Sequence, residues 1–319
     1  MDIIQSYFLN PNQRVYWLYL VSTLCLIAIY GVFVYFASGQ IIIKKSKLTS
    51  YWFHPSAILD YLYFVLNTLI KVFLLAPLLL SAKTIALWIW QGLSYLKPDM
   101  MYSIQLPSTV IIAIYSLSLF VVSDFTRYWL HRFLHTIPIL WAFHKVHHSC
   151  EVLNPISFYR IHPVENLLFG IRYSLSTGLV TGVCLWLFGA KLGVWTILGC
   201  NAFIFIFLLL GANLRHSHIY LYYPKFIERF FISPAQHQLH HTAQFANKNY
   251  GGYLGIWDFI FGSWQSAADI EKPKRFGFPK TMAQPYRTLG GLLFQPFIDI
   301  LHIGKKRDEK RQKQQQNVS

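Results

Sequence analysis

Three short windows, "HRFLH" (131–135), "HKVHH" (144–148) and "HQLHH" (237–241), hold eight of the chain's 13 histidines. On a helix His131 and His135 share one face. His144, His147 and His148 stand at i, i+3 and i+4, and His237, His240 and His241 repeat that geometry. "RHSHI" adds His216 and His218, and "RIHPVE" adds His162. Neutral imidazole is the commonest protein ligand for borderline metals. One ion takes roughly four to six ligands, so eight to ten imidazoles fit two neighbouring metals. A lone histidine is usually a surface or hydrogen-bonded core residue, which is the reading for His54 and His302. Ordinary packing gives no reason for eight in three short windows.

Several chemistries are missing. No H-E-x-x-H is present, so the zinc-peptidase pairing of two ligands with a general base is absent. There is no G-x-S-x-G. The four cysteines (Cys25, Cys150, Cys184, Cys200) form no C-x-x-C pair and read as small buried hydrophobes. Carboxylates near the boxes are few: Asp124, Glu151, Glu165 and Asp258. A site rich in imidazole and poor in carboxylate, at a membrane face, suits two irons that activate dioxygen against an unactivated C–H bond.

The elements that carry the boxes are membrane elements. Of the 319 residues 54% are hydrophobic and 13% charged, about half the charge of a soluble domain. Residues 15–38 carry no charge and are long enough to span the hydrocarbon. Further spans read from about 57 to 80 and from 106 to 122, while 86–93 is too short to cross and is either peripheral or an extension of the second span. Residues 167–211, broken at Gly189-Ala190-Lys191, suit two spans joined by a tight turn. The net charge of +15 gathers in blocks beside apolar runs ("KKSK", "EKPKR", "KKRDEKRQK"), which marks a cytoplasmic face and anionic headgroups rather than nucleic acid. Putting "KKSK" in the cytoplasm places every histidine box on that face.

The blocks "DFTRYWLHRFLH", "WAFHKVHHS", "RIHPVE", "RHSHI", "SPAQHQLHH" and "NYGGYLGIWDFIFGSW" occur in the same order in the fatty acid hydroxylase and sterol desaturase superfamily, which the chain resembles over about 140 residues (124–264). The resemblance implies an integral membrane, histidine-box enzyme with two iron ions, which zinc could replace on isolation. It also implies O2 as oxidant and electrons from a separate reductase or cytochrome-type donor. By the same resemblance His131, His135, His144, His147, His148, His237, His240 and His241 are metal ligands, with His216 or His218 completing the set. His162 either lines the site or binds metal. Asp124 either holds a ligand's second ring nitrogen or pairs with Arg127 or Arg132, and Asp258 is a candidate ligand orienter.

The fold expected is therefore all-α and integral to the membrane, with about four transmembrane helices and a cytosolic helical histidine-rich metal-binding domain. Its parts are an N-terminal membrane region (1–122), a catalytic region (123–271) and a basic cytosolic tail (272–319). The function expected is O2-dependent hydroxylation or desaturation of a membrane lipid (sterol, fatty-acyl or ether lipid), in the bacterial inner membrane or the endoplasmic reticulum. The alternative is a membrane metal transporter or metal-binding protein that uses the histidine clusters. A transporter should place its ligands near the midplane, often with Asp or Glu.

Overall fold

The computed structural model describes residues 3–39, 41, 45–279 and 284–316; Lys44 of "KKSK" lies outside them. Short helices α1 (Ile3–Leu9) and α3 (Lys45–Trp52) flank α2 (Trp17–Ser38). Then come α4 (Pro55–Ile70), α5 (Ala82–Leu96), α6 (Ser108–Thr136), α7 (Pro138–His148) and α8 (Pro163–Phe188). A two-stranded ladder, β1 (Thr196–Ile197) with β2 (Cys200–Asn201), precedes α9 (Ala202–Leu209). Four short or peripheral helices follow: α10 (Lys225–Glu228), α11 (Pro234–His240), α12 (Ile256–Ile260) and α13 (Leu289–Gln316).

Among the described residues four helical segments are long and apolar enough to cross a membrane: Trp17–Ser38, Pro55–Leu96, Ser108–Thr136 and Pro163–Lys191. On α2, Leu24, Ile29, Phe33 and Phe36 stand exposed, as a lipid-facing helix requires. Cys25 shares that exposure and is not the buried hydrophobe expected, whereas Cys150, Cys184 and Cys200 are buried.

The third span is longer than the apolar run that announced it. At about 1.5 Å per residue α6 reaches about 44 Å, against about 30 Å of hydrocarbon. One uninterrupted helix is therefore long enough to cross the membrane and still carry His131 and His135 at its far end. Pro138 ends α6 by forcing Ile137 to an extended φ of −96° and ψ of 115°, and it then opens α7.

Residues 86–93 are not peripheral. They belong to α5, which continues the second span after a π turn (Lys71–Leu75) and a 3-10 turn (Ala76–Leu78) at Pro77. Helix α5 runs alongside α8 with glycines at the seam. A Cβ on Gly178 would lie 2.6 Å from the Ile85 Cβ, and one on Gly182 would lie 2.7 Å from the Ala86 carbonyl. Small residues four apart allow this approach in a bilayer, where packing rather than hydrophobicity joins helices.

The second half of 167–211 is not a spanning helix. After Gly189 (φ 69°) the chain returns through the β1–β2 ladder and the eight residues of α9, about 12 Å of helix. Irregular backbone is tolerated at such depth only where protein satisfies it. Here the Trp195 N–H donates to Ser116 Oγ at 2.8 Å, and the Asn201 side chain donates to the Ser116 carbonyl at 3.2 Å. Nor is the C-terminal segment a bare tail. Leu292 of α13 packs with Tyr63, Val146 and Tyr286, and Asp299 of α13 accepts from the Lys145 ammonium of α7.

Gly178→Val should therefore split the α5–α8 seam, with a stability loss of about 1–3 kcal/mol for forced overpacking. Gly92→Ala, which meets nothing within 4 Å, should be neutral. Thermal melts of the two variants in detergent check the contrast.

Candidate metal centre

The local sequence explains each carrier of the site. Ser233 caps α11 through a capping box with Gln236, and Pro234 fills its first turn. The Ser233 hydroxyl donates in turn to buried Glu228 at 2.7 Å. A tight 3-10 turn over 212–216, entered by Gly211 at φ 94°, presents His216.

These carriers bring nine histidines into two adjoining groups. His131 and His135 of α6, His144 and His148 of α7 and His240 of α11 form the first; His147, His216, His237 and His241 form the second. Within each group the candidate ligand nitrogens all lie within 4.8 Å of one another. The rings of His148 and His241 stack across the boundary at 4.6 Å. The H-x-x-H-H boxes are thus divided between the groups. Helix α7 gives two histidines to the first group and one to the second. Helix α11, with His241 at its end, does the reverse.

Most of the rings are anchored through Nδ1. His131 donates to the Tyr250 carbonyl at 2.8 Å, His240 to the Lys248 carbonyl at 2.7 Å and His147 to the Arg160 carbonyl at 3.3 Å. His144 donates to the Glu165 carboxylate at 2.9 Å. Because Ser157 Oγ spends its own proton on the Asn154 carbonyl, it accepts from His216 Nδ1 at 2.8 Å. Each anchor fixes the tautomer and leaves the Nε2 lone pair free. The Nε2 atoms of His144 and His240 then stand 3.2 and 3.1 Å from that of His131, with no proton to share. Buried Nε2 atoms of His135 and His148 have no hydrogen-bond partner at all. In the second group His237 Nε2 sits 3.1 Å from His216 Nε2 and 3.2 Å from His241 Nε2. Lone pairs converging in a buried space are repulsive unless a cation lies among them. This donor set, nitrogen-rich with one carboxylate behind it, fits borderline metals such as iron or zinc.

Burial first, and the neighbouring imidazoles second, push His148, His237 and His241 well below the usual histidine range. His240 falls to about 3, from burial and then His144. These four rings are neutral at physiological pH, as metal binding requires.

Of the two carboxylates singled out beforehand, Asp258 acts one step away from the rings and Asp124 holds a loop. Asp258 accepts from the Tyr250 and Gly251 N–H groups at 2.8 and 2.7 Å and from Ser263. It thereby aims the Tyr250 carbonyl at His131. Asp124 neither touches a histidine nor forms an ion pair with Arg127 or Arg132. It accepts from the Tyr253 and Leu254 N–H groups and from the Trp257 indole at 2.8 to 3.0 Å. Gly251 and Gly252 matter because backbone passes so close to these carboxylates: a Cβ would lie 2.9 Å from Asp258 Oδ2 or 2.6 Å from Asp124 Oδ1. Trp257 and Phe261 pack on Phe125, Tyr128 and Trp129 of α6.

Of the remaining candidates, His218 stays outside both groups with its ring 4.6 Å from that of Tyr51, so His216 is the member that joins. His162 caps α8, accepting from the Val164 N–H and donating to the Leu293 carbonyl at 3.0 Å, which leaves no nitrogen for a metal. His54 caps α4 through Ser56. Glu165 is the residue whose role the sequence did not reveal. Its signals were its place among the few carboxylates near the boxes and its position at the end of "RIHPVE", in the first turn of α8.

Comparison with known proteins matches residues 116–263 to the fatty acid hydroxylase family. All nine clustered histidines fall inside that stretch. Over this segment the chain is similar to the fatty acid hydroxylase family. It is 31% identical over 180 residues to an ornithine lipid hydroxylase of Rhizobium tropici, covering 53% of this chain and 50% of that protein. Human alkylglycerol monooxygenase is 30% identical over 155 residues, covering 47% of this chain and 30% of the enzyme. Human lathosterol oxidase is 24% identical over 169 residues, 52% and 50% of the two chains. The chain thus spans half or less of the length of these relatives. No solved structure matches.

Two outcomes follow from the anchoring. Glu165→Gln removes the charge behind His144 and should lower metal affinity about 10- to 100-fold, read by competition with a chelator. In metal-stripped protein the unfolded state binds protons below about pH 6.5 that His240 refuses until about pH 3. Stability should therefore fall with pH across that window, by about 1.4 kcal/mol per unit for each such histidine. Melts between pH 7 and pH 4, with and without added metal, test the sign.

Proposed function

We propose that the chain is a membrane lipid oxidoreductase that hydroxylates or desaturates its substrate with O2, two irons and electrons from a separate donor protein. The observation that carries this reading is the convergence of histidine ring nitrogens in two adjoining groups, with the Nδ1 anchors of His131, His144 and His240 leaving unprotonated Nε2 atoms face to face in the first. His131, His135, His144, His148 and His240 would hold one ion, and His147, His216, His237 and His241 the other. Bound iron supplies the oxygen chemistry that no side chain provides. This chain's own residues anchor the rings and bury them away from water. The names of the similar proteins, which act on ornithine lipid, alkylglycerol and lathosterol, support a lipid substrate. The regions 1–122, 123–271 and 272–319 would serve as membrane anchor, catalytic unit and basic cytosolic extension, with the histidines on the cytosolic side of a bacterial inner membrane or the endoplasmic reticulum.

Transport is the weaker alternative. Seven of the nine clustered histidines lie outside the four long apolar segments, whereas transporters bind their cargo near the midplane between broken helices.

Elemental analysis of the purified chain should give two metals. His147→Ala and His240→Ala, which remove one ligand from each group without harming a helix, should each lose part of the metal and all lipid oxidation. Mass spectrometry of lipids from expressing cells reads that oxidation as one added oxygen or two lost hydrogens. His302→Ala should keep both metal and activity. Full metal content and undiminished oxidation in both His147→Ala and His240→Ala would refute the assignment.

A further inference from the structure

Beside the second histidine group lies a cavity of about 490 Å³ with an unusual wall: Arg14, Lys71, Arg127, Arg172 and Arg215 against one carboxylate, Asp124. That carboxylate is committed to the backbone of 253–254 and the Trp257 indole. The arginines bond only to neutral oxygens. Arg14 donates to the Asn213 side chain at 3.3 Å and to the Ala212 carbonyl. Arg172 donates to the Ser123 carbonyl at 2.7 Å and to Thr126 at 3.0 Å. Arg215 donates to the Gly252 carbonyl. Arg172 Nε and Arg215 Nη2 are buried with no partner. An unpaired buried guanidinium donor is costly, and several like charges around one space add repulsion. Burial, then the charges of Arg215 and Arg127, push Arg14 well below the usual arginine range. An oxyanion would relieve all of this through charge-assisted hydrogen bonds.

A second cavity, of about 530 Å³, adjoins the first through the shared wall residues Ala212 and Arg215. Its lining is otherwise apolar, with Leu26, Phe120, Ile206, Phe207 and Leu210 among the residues. Arg215 directly precedes His216. Phe158, on the wall of the cationic cavity, holds its ring 5.8 Å from that of His216 and lies under Arg14 at 4.0 Å. A polar anion site and an apolar site therefore meet next to a candidate metal group.

We propose that the cationic cavity binds the anionic headgroup, phosphate or carboxylate, of the lipid whose apolar chain occupies the adjoining cavity. The identity of that lipid as the substrate rests on the oxidoreductase reading above; the headgroup site itself is tested by binding.

The probe is phosphatidic acid, set against diacylglycerol with the same acyl chains and against inorganic phosphate alone. Each is titrated into the full chain in an uncharged maltoside detergent, with native mass spectrometry and thermal melting as readouts. Phosphatidic acid should bind at least tenfold more tightly than diacylglycerol. Arg172→Gln and the exposed Lys71→Gln should each remove most of that preference while leaving diacylglycerol binding unchanged, and Arg172→Lys should restore part of it. Equal binding of the two lipids overturns the headgroup site, as does a preference that survives both substitutions in folded protein. Inorganic phosphate that binds as tightly as phosphatidic acid overturns the lipid source. Lipid oxidation with unselective binding removes the headgroup site alone, and selective binding with no oxidation removes the oxidoreductase reading alone.

Discussion

Imidazole lone pairs aimed at one another across about 3 Å repel, and everything around the centre is arranged to keep them aimed. In the first group the Nδ1–H bonds of His131, His144 and His240 forbid the easy escape, a proton placed between the rings. The rings cannot turn away either, because each anchor belongs to backbone or to a buried acid. This is a fold that holds a repulsive arrangement ready for a cation. The cost is met by the surrounding hydrogen bonds and by packing.

Those anchors are themselves held. Arg160, whose carbonyl accepts from His147, is pinned by Asp60 at 2.5 Å and by the Ser56 carbonyl at 2.7 Å, both on α4. The second span thus reaches the centre through one buried arginine. Tyr250 is held by Asp258, and Ser157 by the turn that Asn154 closes. Rigidity at the rings is assembled from α4, α6, α7, α8, α11 and three loops. No single helix pair could supply it.

What was legible in the sequence was local. Helical periodicity brings His144, His147 and His148 to one side of α7 with no knowledge of the rest of the chain, and uninterrupted apolar runs announce their own spans. The family resemblance added order and chemistry to those pieces. Choices made by tertiary contact stayed hidden. His216 and His218 are equivalent by pattern, and only the turn after Gly211 separates them. Glu165 became an anchor because α8 starts beside α7. Asp124 was open either to a ligand's ring nitrogen or to Arg127 or Arg132, yet backbone N–H groups 129 and 130 residues away took its oxygens. The return limb after Gly189 read as a helix because its residues are apolar, while its backbone found partners on α6 instead.

The division of each H-x-x-H-H box between the two groups has a mechanical consequence. Helices α7 and α11 behave like meshed gears, each with teeth in both sets. A helix serving one group could rotate or slide to improve its fit, but here any such adjustment spoils the other. A single residue inserted between His144 and His147 would turn everything after it by about 100°. His147 and His148 would then leave both groups together. The same insertion between His135 and Pro138 would change only the corner. The angular phase of these two short helices is the tolerance that the whole centre must keep.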